Sequence, residues 1–135
     1  MIEFTDDLLT GVGAIDDQHR ELFRRINLLL SDIEAGKGME AASETLRFLE
    51  DYVVEHFTAE ENLQLHFAYP GYAMHKAMHD SFRKDVGMLR DRLDWSGPTG
   101  ELVFTTRRLL VEWLLEHISK ADRAIGDYIK TRGAA

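Results

Sequence analysis

An all-α, up-down-up-down four-helix bundle is the fold this sequence predicts, and three observations predict it. Apolar residues recur at spacings of three and four along four long segments. The breaks between them, at Gly36-Lys37-Gly38, Tyr69-Pro70-Gly71 and residues 95–100, hold both prolines. Connections this short make consecutive helices antiparallel neighbours. No strand pattern, internal repeat or low-complexity tract competes with that reading.

Residues 1–15 read as an irregular N-terminal arm, with Asp16 as the N-cap of a first helix over 17–35. That helix turns His19, Phe23, Ile26, Leu30 and Ile33 inward. A second helix over 39–66 presents Leu46, Leu49, Val53, His56, Glu60 and Leu63 on one face. A third over 72–92 presents His75, His79, Phe82, Val86 and Leu89, with Leu93 continuing the stripe. The fourth, over 100–131, carries Leu110, Leu114, His117 and Ala121, and Ile118, Asp122, Ile125 and Ile129 on the adjoining stripe. The whole chain, 1–135, makes one domain.

Composition agrees and excludes several functions. At 135 residues, with 44% hydrophobic and 30% charged residues, the chain suits one soluble domain with a real core. No apolar run approaches the roughly 18 residues of a membrane span. The N-terminus is acidic where a secretion signal would be basic, so a cytoplasmic protein is expected. The absence of cysteine removes disulfides, thiolate metal sites and cysteine nucleophiles. A net charge of −8 argues against nucleic acid and anionic membrane as partners. Gly11-Val12-Gly13 lacks a preceding strand and a third glycine, so it is a turn and not a nucleotide loop.

The inward stripes are where chemistry enters. Five of the six histidines and two carboxylates point where a bundle should bury leucine. One buried imidazole is cheap if it finds a hydrogen bond. Carboxylates buried among five imidazoles without compensation would cost roughly several kcal/mol per charge. Two divalent cations are the simplest compensation. His56 and Glu60, and likewise His75 and His79, stand at i, i+4 and share a face. His117 and Asp122 are five apart, about 140° around an ideal α-helix. Either a π-bulge lies between them or the two approach from adjoining stripes. His66 falls off the stripe and reads as exposed; Glu55 and Glu61 flank ligands and read as solvated surface.

With these positions in hand, the chain resembles the bacterial hemerythrins across nearly its whole length. The matching stretches are Gly11 to His19 with Leu22-Phe23, His56 to Glu61, Tyr69-Pro70-Gly71, His75 to His79, and Trp113 to Asp122. The resemblance implies two non-haem irons: one held by His75, His79 and His117, the other by His19 and His56. Glu60, Asp122 and an oxo or hydroxo group would bridge them. The second iron is then one ligand short, and the open position would take dioxygen reversibly. Leu22, Phe57, Leu114 and Ile118 are the expected pocket, with Trp113 packed beside His117. Glu116, Gln18 and backbone carbonyls are candidates to fix the free ring N–H groups. Phe4, Gln64 and Ser119 depart from the usual pattern; a polar Gln64 in the pocket would weaken a purely reversible role.

What this implies is an oxygen-binding protein for storage, delivery or scavenging, expected as a monomer, with room for a redox or oxygen-accepting protein partner. Two other classes compete. A di-iron peroxidase, nitric oxide reductase or oxidase could use the same scaffold, although the Glu-x-x-His pairs of ferritin-like oxidases do not occur here. A sensor of oxygen or redox state would need an output partner, because the chain stops shortly after the fourth helix.

Overall fold

Four helices form where the apolar spacing places them. In the computed structural model, which describes residues 2–133, these are α1 (Gly13–Glu34), α2 (Gly38–His66), α3 (Tyr72–Ser96) and a fourth long run, α4, over 100–133. Met1, at the start of the expected arm, and Ala134 and Ala135 lie outside the described residues. α2 packs on α1, α3 and α4, so the four helices enclose one core, and no strand occurs among the described residues. Leu46, Phe57, Phe82, Leu110 and Ile118, each at most 0% exposed, form its centre. No helix among the described residues is long and apolar enough to cross a membrane.

Two ends differ from expectation by four residues each, and the others fall within two. α1 starts at Gly13, four residues before the expected boundary, and its N-cap is Val12, not Asp16. Asp16 is buried within the first turn and reaches back to the arm instead. α3 runs on to Ser96, because Leu93 is still core and the first residue that stops the helix is Gly97, at φ +72°. Along α1 the stripe also shifts slightly: Leu29 is buried, while Leu30 and Ile33 pack against the core from its edge. α4 begins as expected, with Thr99 Oγ1 accepting from Leu102 N at 3.1 Å.

α4 is not uniform. It is α-helical over Gly100–Arg108, π-helical over Leu109–Leu114, α-helical over Leu115–His117, π-helical over Ile118–Asp122, and α-helical again over Arg123–Gly133. The residues at each junction keep right-handed helical dihedrals, so the run stays continuous. The second π segment lies between His117 and Asp122, and it resolves the two alternatives in favour of the bulge. An i→i+5 ladder puts residues five apart on one face.

The arm is less irregular than its sequence suggests. It contains a 3₁₀ turn at Asp6–Leu8, and Leu8 joins the core. Phe4 packs edge-on against Phe23 at 5.2 Å, with the Arg20 guanidinium over its ring.

Candidate metal centre

All seven polar residues singled out from the sequence meet in one layer of the bundle. They fall into two groups: Glu60, His75, His79, His117 and Asp122 in one, and His19, His56, Glu60 and Asp122 in the other. Every member is buried, and His19 and His79 are 0% exposed. The helices place them as the spacing requires. α2 contributes His56 and Glu60, α3 contributes His75 and His79, α1 contributes His19, and the π turn of α4 brings His117 and Asp122 round together.

The distances show convergence on points rather than pairing. His75 Nε2 and His79 Nε2 stand 3.0 and 3.1 Å from His117 Nε2. Three nitrogens bound to one cation at about 2.1 Å along perpendicular directions would stand about 3.0 Å apart. Asp122 Oδ1 is 2.9 Å from His75 Nε2 and 3.1 Å from His117 Nε2, and Glu60 Oε1 is 3.6 Å from His75 Nε2. The other oxygen of each acid turns to the second group: Asp122 Oδ2 is 3.0 Å from His19 Nε2, and Glu60 Oε2 is 2.9 Å from His56 Nε2. Each carboxylate therefore reaches both groups.

Yet these close approaches do not satisfy the acids. Among the described residues, neither oxygen of Glu60 nor of Asp122, and neither ring nitrogen of His19, has a hydrogen-bond partner of proper geometry. Buried polar atoms are almost always paired, so a cluster of unpaired polar atoms aimed at common points fits a site for cations. The donor set, imidazole nitrogen and carboxylate oxygen with no sulfur, suits first-row divalent metals such as iron.

Neighbouring groups hold the nitrogens in that state. His79 Nδ1 donates to Glu61 Oε2 at 2.9 Å, and His56 Nδ1 donates to Gln18 Oε1 at 2.5 Å. A carboxylate and an amide oxygen can only accept, so each Nδ1 carries the ring proton and each Nε2 lone pair faces inward. Burial, with the other imidazoles, pushes His56 down to about 3 and His79 down to about 2, so both rings are neutral, as metal ligands must be. The two acids diverge. Burial and the Asp122 charge push Glu60 well above the usual carboxylate range. Burial acts on Asp122 too, but the imidazoles of His117, His19 and His75 around it outweigh that and hold it well below.

Two expectations about the surrounding shell need correction. Glu61 is not solvated surface: it bonds His79 and pairs with Arg83 Nη2 at 3.1 Å across the α2–α3 interface. Glu116 bonds no ligand and pairs instead with Lys120. Gln18 does bond one, and His66 is exposed, as read. A local pattern offers no signal for Glu61, because its role depends on how α3 is rotated against α2.

The four residues expected to wall the pocket are buried in the core. Leu22, Phe57, Leu114 and Ile118 are each no more than 1% exposed. Phe57 stacks on His79, with centroids 3.8 Å apart and planes 1° from parallel. Trp113 stacks on His117 at 4.7 Å and on Phe82 at 4.4 Å, and so covers the α3–α4 side. Gln64 is fully buried one turn beyond Glu60, and neither amide atom has a partner among the described residues. Ser119 Oγ donates to the Glu116 carbonyl and takes no part in the wall.

Comparison with known proteins agrees with this geometry. Residues 10–129 match the family model of the hemerythrin HHE cation binding domain. The chain is similar to a bacteriohemerythrin of Pseudomonas paraeruginosa, 34% identical over 93% of this chain and 79% of the relative. It is 36% identical to a bacteriohemerythrin of Methylococcus capsulatus, over 87% of each chain. Its fold is similar to the crystal structure of a wild-type hemerythrin, with a TM-score of 0.81 and 30% identity over 96% of this chain and 98% of that one.

Proposed function

The chain belongs to the hemerythrin family, and from that premise we propose that it binds dioxygen reversibly at a non-haem di-iron centre, for storage, delivery or scavenging. His75, His79 and His117 would hold one iron, His19 and His56 the other, with Glu60 and Asp122 bridging. The observation that carries this reading is the sharing of both acids: each places one oxygen in each nitrogen group. Two ferrous ions held there would supply the pair of electrons on which reversible dioxygen binding draws.

The protein's own part is to position and to exclude. Two nitrogens on the His19–His56 side against three on the other leave that side one donor short, which is where a small molecule would fit. Leu22, Phe57, Leu114 and Ile118 would offer no titratable group to that space and would keep water from it, a role that their burial in the core supports. A wall without proton donors favours binding over turnover, so we read the protein as a carrier rather than an enzyme.

Metal analysis with an optical spectrum of the reduced protein, before oxygen, under oxygen and after its removal, tests this. Two irons per chain and a spectrum that returns on degassing are expected. One-way conversion under oxygen would assign the chain to the di-iron oxidases or peroxidases instead, and a single zinc would defeat both readings.

A further inference from the structure

The arm that the sequence leaves irregular is held down at two points, on either side of Thr10. On one side lies Asp16, 4% exposed, whose carboxylate accepts from Thr10 N and Thr10 Oγ1 at 2.8 Å each and from Gly11 N at 3.2 Å. Thr10 Oγ1 accepts in turn from Val12 N at 3.1 Å. Gly11, at φ +85°, lets the chain reverse tightly enough to offer both amides to one carboxylate.

On the other side the Thr10 backbone lies flat against α4. A Cβ added to Gly126 would stand 2.1 Å from the Thr10 carbonyl oxygen and 2.7 Å from its C and Cα atoms. Backbone cannot swing aside as a side chain can, so the contact requires glycine. Glycine in a helix interior costs about 1 kcal/mol relative to alanine, so its presence there calls for a packing reason. The Thr10 contact is one. Further along the arm, the Asp6–Leu8 turn packs on the Ile118–Asp122 segment, which carries a bridging acid.

The clamped segment closes over the metal layer. Thr10, Val12 and Ile15 face Glu60, Leu63, Asp122 and Ile125 around a cavity of about 10 Å³. That is about the least space that admits one water molecule. We propose that Asp16, Thr10 and Gly126 form a latch that seals the carboxylate side of the centre, with Asp16 and Gly126 as positioning residues that keep water and competing ligands off Glu60 and Asp122. Because the latch joins α1 to α4, it also fixes the spacing between His19 and Asp122, which stand 3.0 Å apart. This inference rests on the di-iron reading only where it speaks of metal retention; the clamp on the arm stands without it.

The test compares wild type, Gly126→Ala, Asp16→Asn and Leu46→Ala. The last removes core packing 14 residues along α2 from Glu60, about 21 Å away at 1.5 Å per residue. Two quantities are read: transfer of iron to excess chelator from the loaded protein, and amide hydrogen exchange at Thr10 and Gly11 in the metal-free protein. Gly126→Ala and Asp16→Asn should each speed iron loss by about tenfold or more, and should speed exchange at both amides. Leu46→Ala should lower the unfolding temperature without either change. Iron loss at the wild-type rate in both latch variants would overturn the proposal, as would equally fast loss from Leu46→Ala. If wild type takes up no iron, the di-iron reading fails, and amide exchange alone decides the latch: unchanged exchange in both variants overturns it. Should Gly126→Ala not fold, Asp16→Asn carries the same comparison.

Discussion

His117 and Asp122 stand five residues apart, yet His117 Nε2 lies 3.1 Å from Asp122 Oδ1. A regular α-helix would point them about 140° apart. The π turn over Ile118–Asp122 removes that angle and lets one helix supply both a nitrogen and a shared carboxylate to the same layer.

The sharing of Asp122 separates its loss from that of a single histidine. Asp122→Ala should release metal from both positions, whereas His56→Ala should leave about one metal per chain, held by His75, His79 and His117. Metal content after gel filtration measures this. Equal loss in the two variants would count against the division of ligands.

Acid should destabilise the metal-free protein. His56 and His79, at about 3 and about 2 when folded, stay neutral in the native state well below the ordinary histidine value of 6.5. In the unfolded chain they take up protons as pH falls through 6.5. The unfolded state then binds more protons, and each group removes stability at up to about 1.4 kcal/mol per pH unit. Glu60, raised when folded, acts in the opposite sense above 4.5, but it is one group against two. Urea midpoints should therefore be lower at pH 5 than at pH 7. A flat or rising midpoint over that interval would contradict it.

Glu61 fixes the His79 ring from across the α2–α3 interface. Glu61→Ala should weaken metal affinity by about 10- to 100-fold, and Glu61→Gln, whose amide oxygen can still accept from Nδ1, should weaken it less. Competition against a chelator of known affinity measures both. Identical affinities in the two variants would show that the hydrogen bond does not matter.

Gln64 carries a fully buried amide with neither atom paired among the described residues. Burying such a group costs about 1–3 kcal/mol. Gln64→Met, which keeps a flexible chain of similar length, should raise the urea midpoint of the metal-free protein. A lower midpoint would mean that the amide earns its place through a partner.

Local spacing alone determined the four helices, their short connections and five of the seven residues that meet in the metal layer. A side chain's position along a helix is enough to say which face it takes, and His19, His56, Glu60, His75 and His79 needed nothing more. His117 and Asp122 were legible only as a conflict, because a bulge alters the period on which such reasoning depends. Tertiary structure alone decided the rest. Which oxygen of Glu60 turns to which group, the bond from Glu61 to His79, and the seating of Thr10 on Gly126 all depend on the rotation and separation of helices far apart in sequence. Those are set when the whole core packs at once, and no local pattern records them.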